Sequence, residues 1–174
     1  MDTNSEMHTH SNFYAMLTAA CQKNGKGTAI FNDKEKISYS SLKHEVETVA
    51  AYLQHEGVQY GDKVALVVSN SPEFIAAYFA ITSIGAVAVP LNVFLKSEEF
   101  SYILNDCDAR FMFASAPLAK ELKNIKAKTK VRKIIWIGET KAASGEDSYF
   151  DAARTFPGKP NLSRQPSVND LAHI

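Results

Sequence analysis

Four short apolar runs limit what this chain can fold into. Lys63-Val64-Ala65-Leu66-Val67-Val68, Ala86-Val87-Ala88-Val89, Phe111-Met112-Phe113-Ala114 and Lys133-Ile134-Ile135-Trp136-Ile137 are continuous, where a strand with one wet face would alternate apolar and polar residues. They read as strands buried on both faces. The segments between them carry apolar residues at helical spacing. Strand, helix and strand in alternation imply right-handed crossovers, and hence a parallel sheet with helices on both faces. The fold class is therefore α/β.

Local signals fill in the rest. Phe13-Tyr14-Ala15-Met16-Leu17 opens a first helix that ends near Lys23-Asn24-Gly25. Gly25-Lys26-Gly27 is a turn and not a dinucleotide fingerprint, because Ile30 stands where a third glycine belongs and no βα unit precedes it. Thr28–Phe31 and Lys36–Tyr39 form an N-terminal β-hairpin pattern. Leu42, Val46, Val49, Ala50 and Leu53 mark a helix that stops at Gly57. Ser71 and Pro72 supply the N-cap and first residue of another, which runs from Glu73 to Ile84. That helix is apolar nearly all round, so it is predicted to be buried. Ser97 is predicted to cap a helix carrying Phe100, Ile103, Leu104 and Cys107. Pro117 is predicted to begin one more, with Leu118, Leu122 and Ile125 inward.

The domain reading has four parts. Residues 1–10 are expected to be disordered, and 11–137 form the α/β unit. Residues 138–170 turn polar, with Pro157, Pro160 and Pro166, and read as a surface linker with one helical turn at Tyr149–Ala153. Leu171-Ala172-His173-Ile174 reads as the onset of a strand that has no body, so the chain looks cut there.

Composition excludes several classes. The formal net charge is +0, which argues against a dedicated nucleic-acid binder. Cys21 and Cys107 are too few for a disulfide framework or a metal quartet, and they suit a reducing cytoplasm. No run approaches the roughly 18 apolar residues of a membrane span. The first six residues are polar and acidic, unlike a secretory signal.

No residue is assigned a catalytic, cofactor-binding or metal role. His8 and His10 form a His-x-His pair with no further ligand nearby to complete a site. Cys107 lies on an apolar stripe and reads as a small core residue. His44 and His55 fall on the solvent side of their helix. Glu98 and Glu99 sit in a first helical turn, where they complement the helix dipole. The basic run Lys120, Lys123, Lys126, Lys128, Lys130, Arg132 and Lys133 could attract a phosphorylated ligand, an acidic partner or anionic lipid. A solvated face explains it more simply. The glycines are scattered at element ends, and none forms a phosphate cradle.

One ordered series goes beyond fold class. Ser38-Tyr39-Ser40-Ser41-Leu42 is followed by Ala50-Ala51-Tyr52-Leu53 and then by Gly57-Val58-Gln59-Tyr60-Gly61-Asp62-Lys63-Val64-Ala65. Asn70-Ser71-Pro72-Glu73 and Gly85-Ala86-Val87-Ala88-Val89-Pro90-Leu91-Asn92 complete it. Over about residues 11–174 the chain resembles the N-terminal part of the AMP-forming acyl-CoA synthetases. These belong to the adenylate-forming superfamily, with luciferases and peptide-synthetase adenylation domains. The opening family motif is a helix capping box; here Ser38 keeps the cap and Ser41 replaces the glutamate.

The resemblance implies an N-terminal subdomain of the adenylate-forming fold. It implies a parent that activates a carboxylic acid, a fatty acid first, with ATP and Mg²⁺ to an acyl-adenylate and passes it to CoA. In the family a strand beginning like Asp170–Ile174 leads into the loop that wraps the ATP phosphates. The chain as it stands is therefore expected to be inactive. Apolar surface left uncovered is expected to drive homodimer formation or self-association, and peripheral membrane contact stays open. So do two other classes: an enzyme that hands its acyl group to a carrier protein, and a non-enzymatic Rossmann-like module that binds a partner or nucleotide.

Overall fold

The computed structural model describes residues 12–32, 35–138, 147–151, 156–164, 166–167 and 169–174. In chain order these form α1 (Phe13–Asn24), β1 (Thr28–Phe31), β2 (Lys36–Ser38), α2 (Tyr39–His55), β3 (Lys63–Val67), α3 (Pro72–Ser83) and β4 (Val87–Pro90). Then come α4 (Ser97–Asp106), β5 (Phe111–Ser115), a 3₁₀ turn at Ala116–Leu118, α5 (Ile125–Lys128), β6 (Lys133–Ile137) and β7 (Asp147–Ser148). β1 and β2 pair antiparallel as a separate hairpin. The other five strands form one parallel sheet in the order β4-β3-β5-β6-β7.

Each central strand feeds two cores, because successive side chains point to opposite faces. Val64 and Leu66 of β3, Phe111 and Phe113 of β5, and Ile135 and Ile137 of β6 join the core under α1, α2 and α3. Ala65 and Val67, Met112 and Ala114, and Ile134 and Trp136 join the core with Phe100 and Leu104 of α4 and Ile125 of α5. This double burial is why the strands read as unbroken apolar runs. The helices start where capping chemistry allows. The side chain of Asn12 accepts from Ala15 N–H at 2.8 Å, Ser38 from Ser41 N–H at 3.1 Å and Ser71 from Phe74 N–H at 3.2 Å. Ser41 Oγ also lies 2.9 Å from Ser38 Oγ, so the residue that replaces the box glutamate still touches the cap.

Four expectations need correction. There is no long helix after Pro117: a 3₁₀ turn and a run of turns lead to the four-residue α5. Leu122 and Ile125 are buried all the same, because successive turns can satisfy the same spacing. α4 is capped at Lys96 rather than Ser97, since the Glu99 carboxylate accepts the Lys96 N–H at 2.8 Å. α3 is not buried all round. Ala76, Ala77, Ala80 and Ile81 face the core, while Phe74, Ile75, Tyr78 and Phe79 are partly buried along its flank. Phe13 of α1 meets the Tyr78 and Phe79 rings edge-on at 5.6 and 5.9 Å.

The fourth correction concerns the polar stretch 138–170, whose described residues do more than connect. Asp147 pairs with Ile135 to add β7 to the sheet. Tyr149 is buried in the first core, and Phe156 and Leu162 pack against it. A helical turn does begin at Tyr149, as expected; Ala152 and Ala153 lie outside the described residues, as do residues 1–10 with His8 and His10.

Candidate functional site

A parallel sheet of this kind offers ligands the crevice beyond the carboxyl ends of its strands, where the strand order reverses. The chain goes outward from β3 to β4, then back to β5 on the other side of β3. The reversal therefore lies between β3 and β5. There the Ser69 N–H donates to Ser115 Oγ at 3.1 Å, which closes the crevice with the chain's own atoms. Beside it the Leu91 N–H donates to the Leu66 carbonyl at 2.9 Å, and Asn92 Oδ1 accepts from Phe94 N–H at 2.9 Å. Phe94 is 84% exposed.

This edge carries no titratable side chain in Val68–Ser71, Pro90–Leu95, Ser115–Leu118 or Gly138. It is a platform of serine, asparagine and apolar residues. Within those described stretches there is no general acid, no base and no cation for an anionic ligand.

The ionisable groups gather elsewhere, and they fasten elements together. Lys133 Nζ donates to Glu56 Oε2 and, at 2.9 Å, to Asp147 Oδ2, which also accepts from the Tyr52 hydroxyl. Burial and the Asp147 hydrogen bond push the Tyr52 hydroxyl far above its ordinary range. The Tyr149 hydroxyl donates to Glu45 Oε1 at 2.8 Å, and the Tyr14 hydroxyl donates to Glu47 Oε1 at 2.6 Å. Gln54 holds Asn161 by a two-way clasp: Nε2 donates to its carbonyl at 2.8 Å, and Oε1 accepts its N–H at 2.7 Å. That clasp straps residues 156–162 over the polar face of α2, leaving an open groove of about 840 Å³.

The sequence candidates do not converge. Cys107 is partly buried beside the second core, where burial pushes its thiol up. His44 and His55 are exposed, and the His55 ring lies 5.1 Å from Phe156. Glu99 is the cap described above, and Glu98 accepts from Lys128 Nζ. The basic run is partly neutralised: Lys130 Nζ donates to Asp108 at 2.6 Å, Lys133 is paired as above, and Arg132 stacks 5.6 Å from the Phe111 ring centre. Lys120 and Lys123 remain exposed. Among the described residues, no group of three or more His, Cys, Asp or Glu side chains could hold a metal ion.

The seam at the free edge of β4 escaped sequence reasoning. The Ala88 N–H donates to the Ala172 carbonyl at 2.9 Å, and the Ile174 N–H donates to the Ala88 carbonyl at 3.2 Å. Residues 172–174 thus run parallel to β4. Tyr78 Oη lies 3.0 Å from His173 Nδ1, Asn12 Nδ2 donates to the Pro166 carbonyl at 3.0 Å, and Tyr60 hydrogen-bonds Asp170. Behind the seam is a cavity of about 290 Å³, walled by Phe13, Met16, Thr82, Ala86 and Leu171. Tyr78 and Asn12 sit in no motif and Tyr60 lies in one only as part of a turn, so only the fold could bring them to the last residues.

The AMP-binding enzyme family matches residues 7–174. The crotonobetaine/carnitine–CoA ligase of Salmonella typhi is 35% identical over 132 residues, covering 72% of this chain and 25% of the relative. Its counterpart in Citrobacter koseri is 33% identical with the same coverage. The anthranilate CoA ligase AuaEII, solved with anthranoyl-AMP, superposes with a TM-score of 0.86 at 26% identity, over 94% of this chain and 32% of that one. The N-terminal domain of FACL13 from Mycobacterium tuberculosis gives 0.81 at 25% identity, over 94% and 41%. The chain spans about a quarter of the length of the curated relatives it matches. With the family matched over nearly its whole length, and a parallel sheet that superposes on solved acyl-CoA ligases, the chain belongs to the AMP-binding enzymes.

Proposed function

We propose that this chain is the scaffold part of an AMP-forming acid–thiol ligase, one that activates a carboxylic acid with ATP to an acyl-adenylate and transfers the acyl group to CoA. The observation that carries the reading is the parallel seating of residues 172–174 on β4. It aims the chain at the carboxyl edge of the sheet, where ligands bind in such folds. The relatives' names support the reaction class: they are CoA ligases for crotonobetaine, carnitine and anthranilate.

The described residues do not themselves fit ATP, Mg²⁺ or CoA. Among the described residues, Val68–Ser71, Pro90–Leu95 and Ser115–Leu118 at the carboxyl edge carry no cation, and no cluster of carboxylates stands ready for a divalent ion. We assign those groups to the three quarters of the relatives' length that this chain does not span. A fatty acid is the proposed substrate, and the apolar residues Leu91, Val93, Phe94 and Leu95 at the edge suit an acyl chain. The setting proposed is the cytoplasm, which agrees with two free cysteines. Among the described residues no helix is long and apolar enough to cross a membrane.

The test is pyrophosphate exchange. The full-length enzyme should exchange pyrophosphate into ATP with fatty acids and form the CoA thioester. The 174-residue chain alone should do neither. Carboxylate-dependent exchange by the isolated chain would overturn the assignment of the chemistry to the uncovered part.

A further inference from the structure

We infer that Tyr78 and His173 are a positioning pair that sets the register of the last strand on β4, and so fixes where the chain leaves the carboxyl edge. Its consequence for catalysis rests on the ligase reading above; its structural part does not.

Backbone hydrogen bonding alone leaves that register weakly set. In a parallel ladder, alternate residues of a strand face the same neighbour. Val87 N–H donates to the Asp62 carbonyl and Leu91 N–H to the Leu66 carbonyl, so residues 87, 89 and 91 face β3. Residues 86, 88 and 90 face outward. The Ala86 N–H is already given to the Ile81 carbonyl at 3.2 Å, and Pro90 has no N–H. Ala88 is therefore the one donor that β4 offers to a strand on its outer edge. A slip of two residues along the last strand would keep the same side-chain faces and the same count of backbone bonds.

The side chains tell the registers apart. Tyr78 stands on α3 with its ring stacked on Phe74 at 6.4 Å and edge-on to Phe13 at 5.6 Å, so its hydroxyl is held in place. That hydroxyl meets His173 Nδ1 at 3.0 Å. After a two-residue slip, Leu171 would occupy the slot, and leucine has nothing to offer a hydroxyl. Asn12 tethers the approach to the strand at Pro166, and Tyr60 tethers it at Asp170. With the proton on His173 Nε2 the tyrosine donates; in the other tautomer it accepts. The tie exists either way.

The experiment reads amide hydrogen exchange in the 174-residue chain. Tyr78→Phe and His173→Val should each speed exchange at Ile174 and Ala88 by about five-fold, the equivalent of one ordinary hydrogen bond. The Val87 and Leu91 amides, bonded to β3, should not change. Valine favours strands more than histidine does, so a role in strand propensity alone predicts slower exchange in His173→Val. His173→Asn should restore protection, because its side-chain amide places a hydrogen-bonding atom where Nδ1 stood. Unchanged or slower exchange in both Tyr78→Phe and His173→Val overturns the pair. In the full-length enzyme, Tyr78→Phe should lower the rate of pyrophosphate exchange with the acid KM unchanged, and His173→Asn should keep it near wild type. Faster amide exchange with an unaltered pyrophosphate rate overturns the catalytic consequence. A wild-type enzyme with no pyrophosphate exchange overturns the ligase reading and leaves the amide result standing.

Discussion

Gly85 is the middle of the three residues that join α3 to β4, at a φ of +73°. Its carbonyl accepts the Gly61 N–H at 2.8 Å, and a Cβ added there would fall 2.2 Å from the Tyr60 ring. Gly57 has a similar φ of +88° but nothing within 4 Å of an added Cβ. The two sites separate backbone strain from collision. Gly57→Ala should cost about 1 kcal/mol in urea unfolding, the penalty of a left-handed residue with a side chain. Gly85→Ala adds a clash with a ring that is itself held by Arg164, whose guanidinium lies 3.7 Å from the ring centre. It should cost about 3 kcal/mol. Equal losses at the two positions would show that the Tyr60 contact relaxes freely. The sequence shows both glycines as chain-reversal points, because a glycine after a helical pattern has few other uses. It does not show Tyr60, which is brought there by the fold from 25 residues away.

Among the elements, β3 to β6 were legible because burial on both faces writes itself as an unbroken apolar run. β7 was not, because Asp147 and Ser148 are polar, and Asp147 is held by side chains from distant elements, Tyr52 and Lys133. The helix expected after Pro117 failed for the opposite reason: Leu118, Leu122 and Ile125 keep helical spacing, but turns deliver them to the core. The attachment of β7 has a pH signature. Burial alone would raise the Asp147 carboxyl, but the hydrogen bonds from Tyr52 and Lys133 outweigh it and hold the group below its ordinary value. A carboxylate depressed in the folded state stabilises above its unfolded-state pKa, and that contribution is lost as pH falls through the folded value. Lys133 is raised, so it stays charged throughout that range and adds nothing to the acid limb. The fastening should therefore be complete near neutrality and fail below about pH 4. Between pH 6 and pH 3, wild-type stability in urea should fall further than that of Asp147→Asn, which has lost the titrating group. Parallel pH curves for the two proteins would show that Asp147 does not fasten β7.

For the molecule as a whole, the family was legible and the chemistry was not, and both follow from one fact. The motifs that run from Ser38 to Asn92 are caps, turns and strand ends, which shape a sheet whose described carboxyl-edge stretches, Val68–Ser71, Pro90–Leu95 and Ser115–Leu118, carry no titratable side chain. Such residues identify a scaffold by their order, and the contacts of Ser38, Gly61, Ser71 and Gly85 are caps and turns. The scaffold also leaves apolar surface uncovered. Single exposed apolar side chains are ordinary, but a continuous apolar hollow is not. Met16, half exposed, borders both the 290 Å³ cavity behind the last strand and a second hollow of about 260 Å³ lined by Leu17, Ala29, Ile30, Ile75 and Phe79. It joins the two into one surface along α1. Phe94 is more exposed than Met16 but stands apart from both hollows, at the carboxyl edge. We expect the isolated 174-residue chain to self-associate reversibly through the α1 surface. In sedimentation velocity, Met16→Lys should shift the protein toward monomer, because a charge at the junction must be desolvated for two copies to meet. Phe94→Ser should leave the association as it was, despite removing the larger exposed area. If Phe94→Ser dissociates the protein and Met16→Lys does not, exposure alone governs the contact and the shared hollow has no part in it. A wild-type chain that stays monomeric at high concentration would remove the contact altogether.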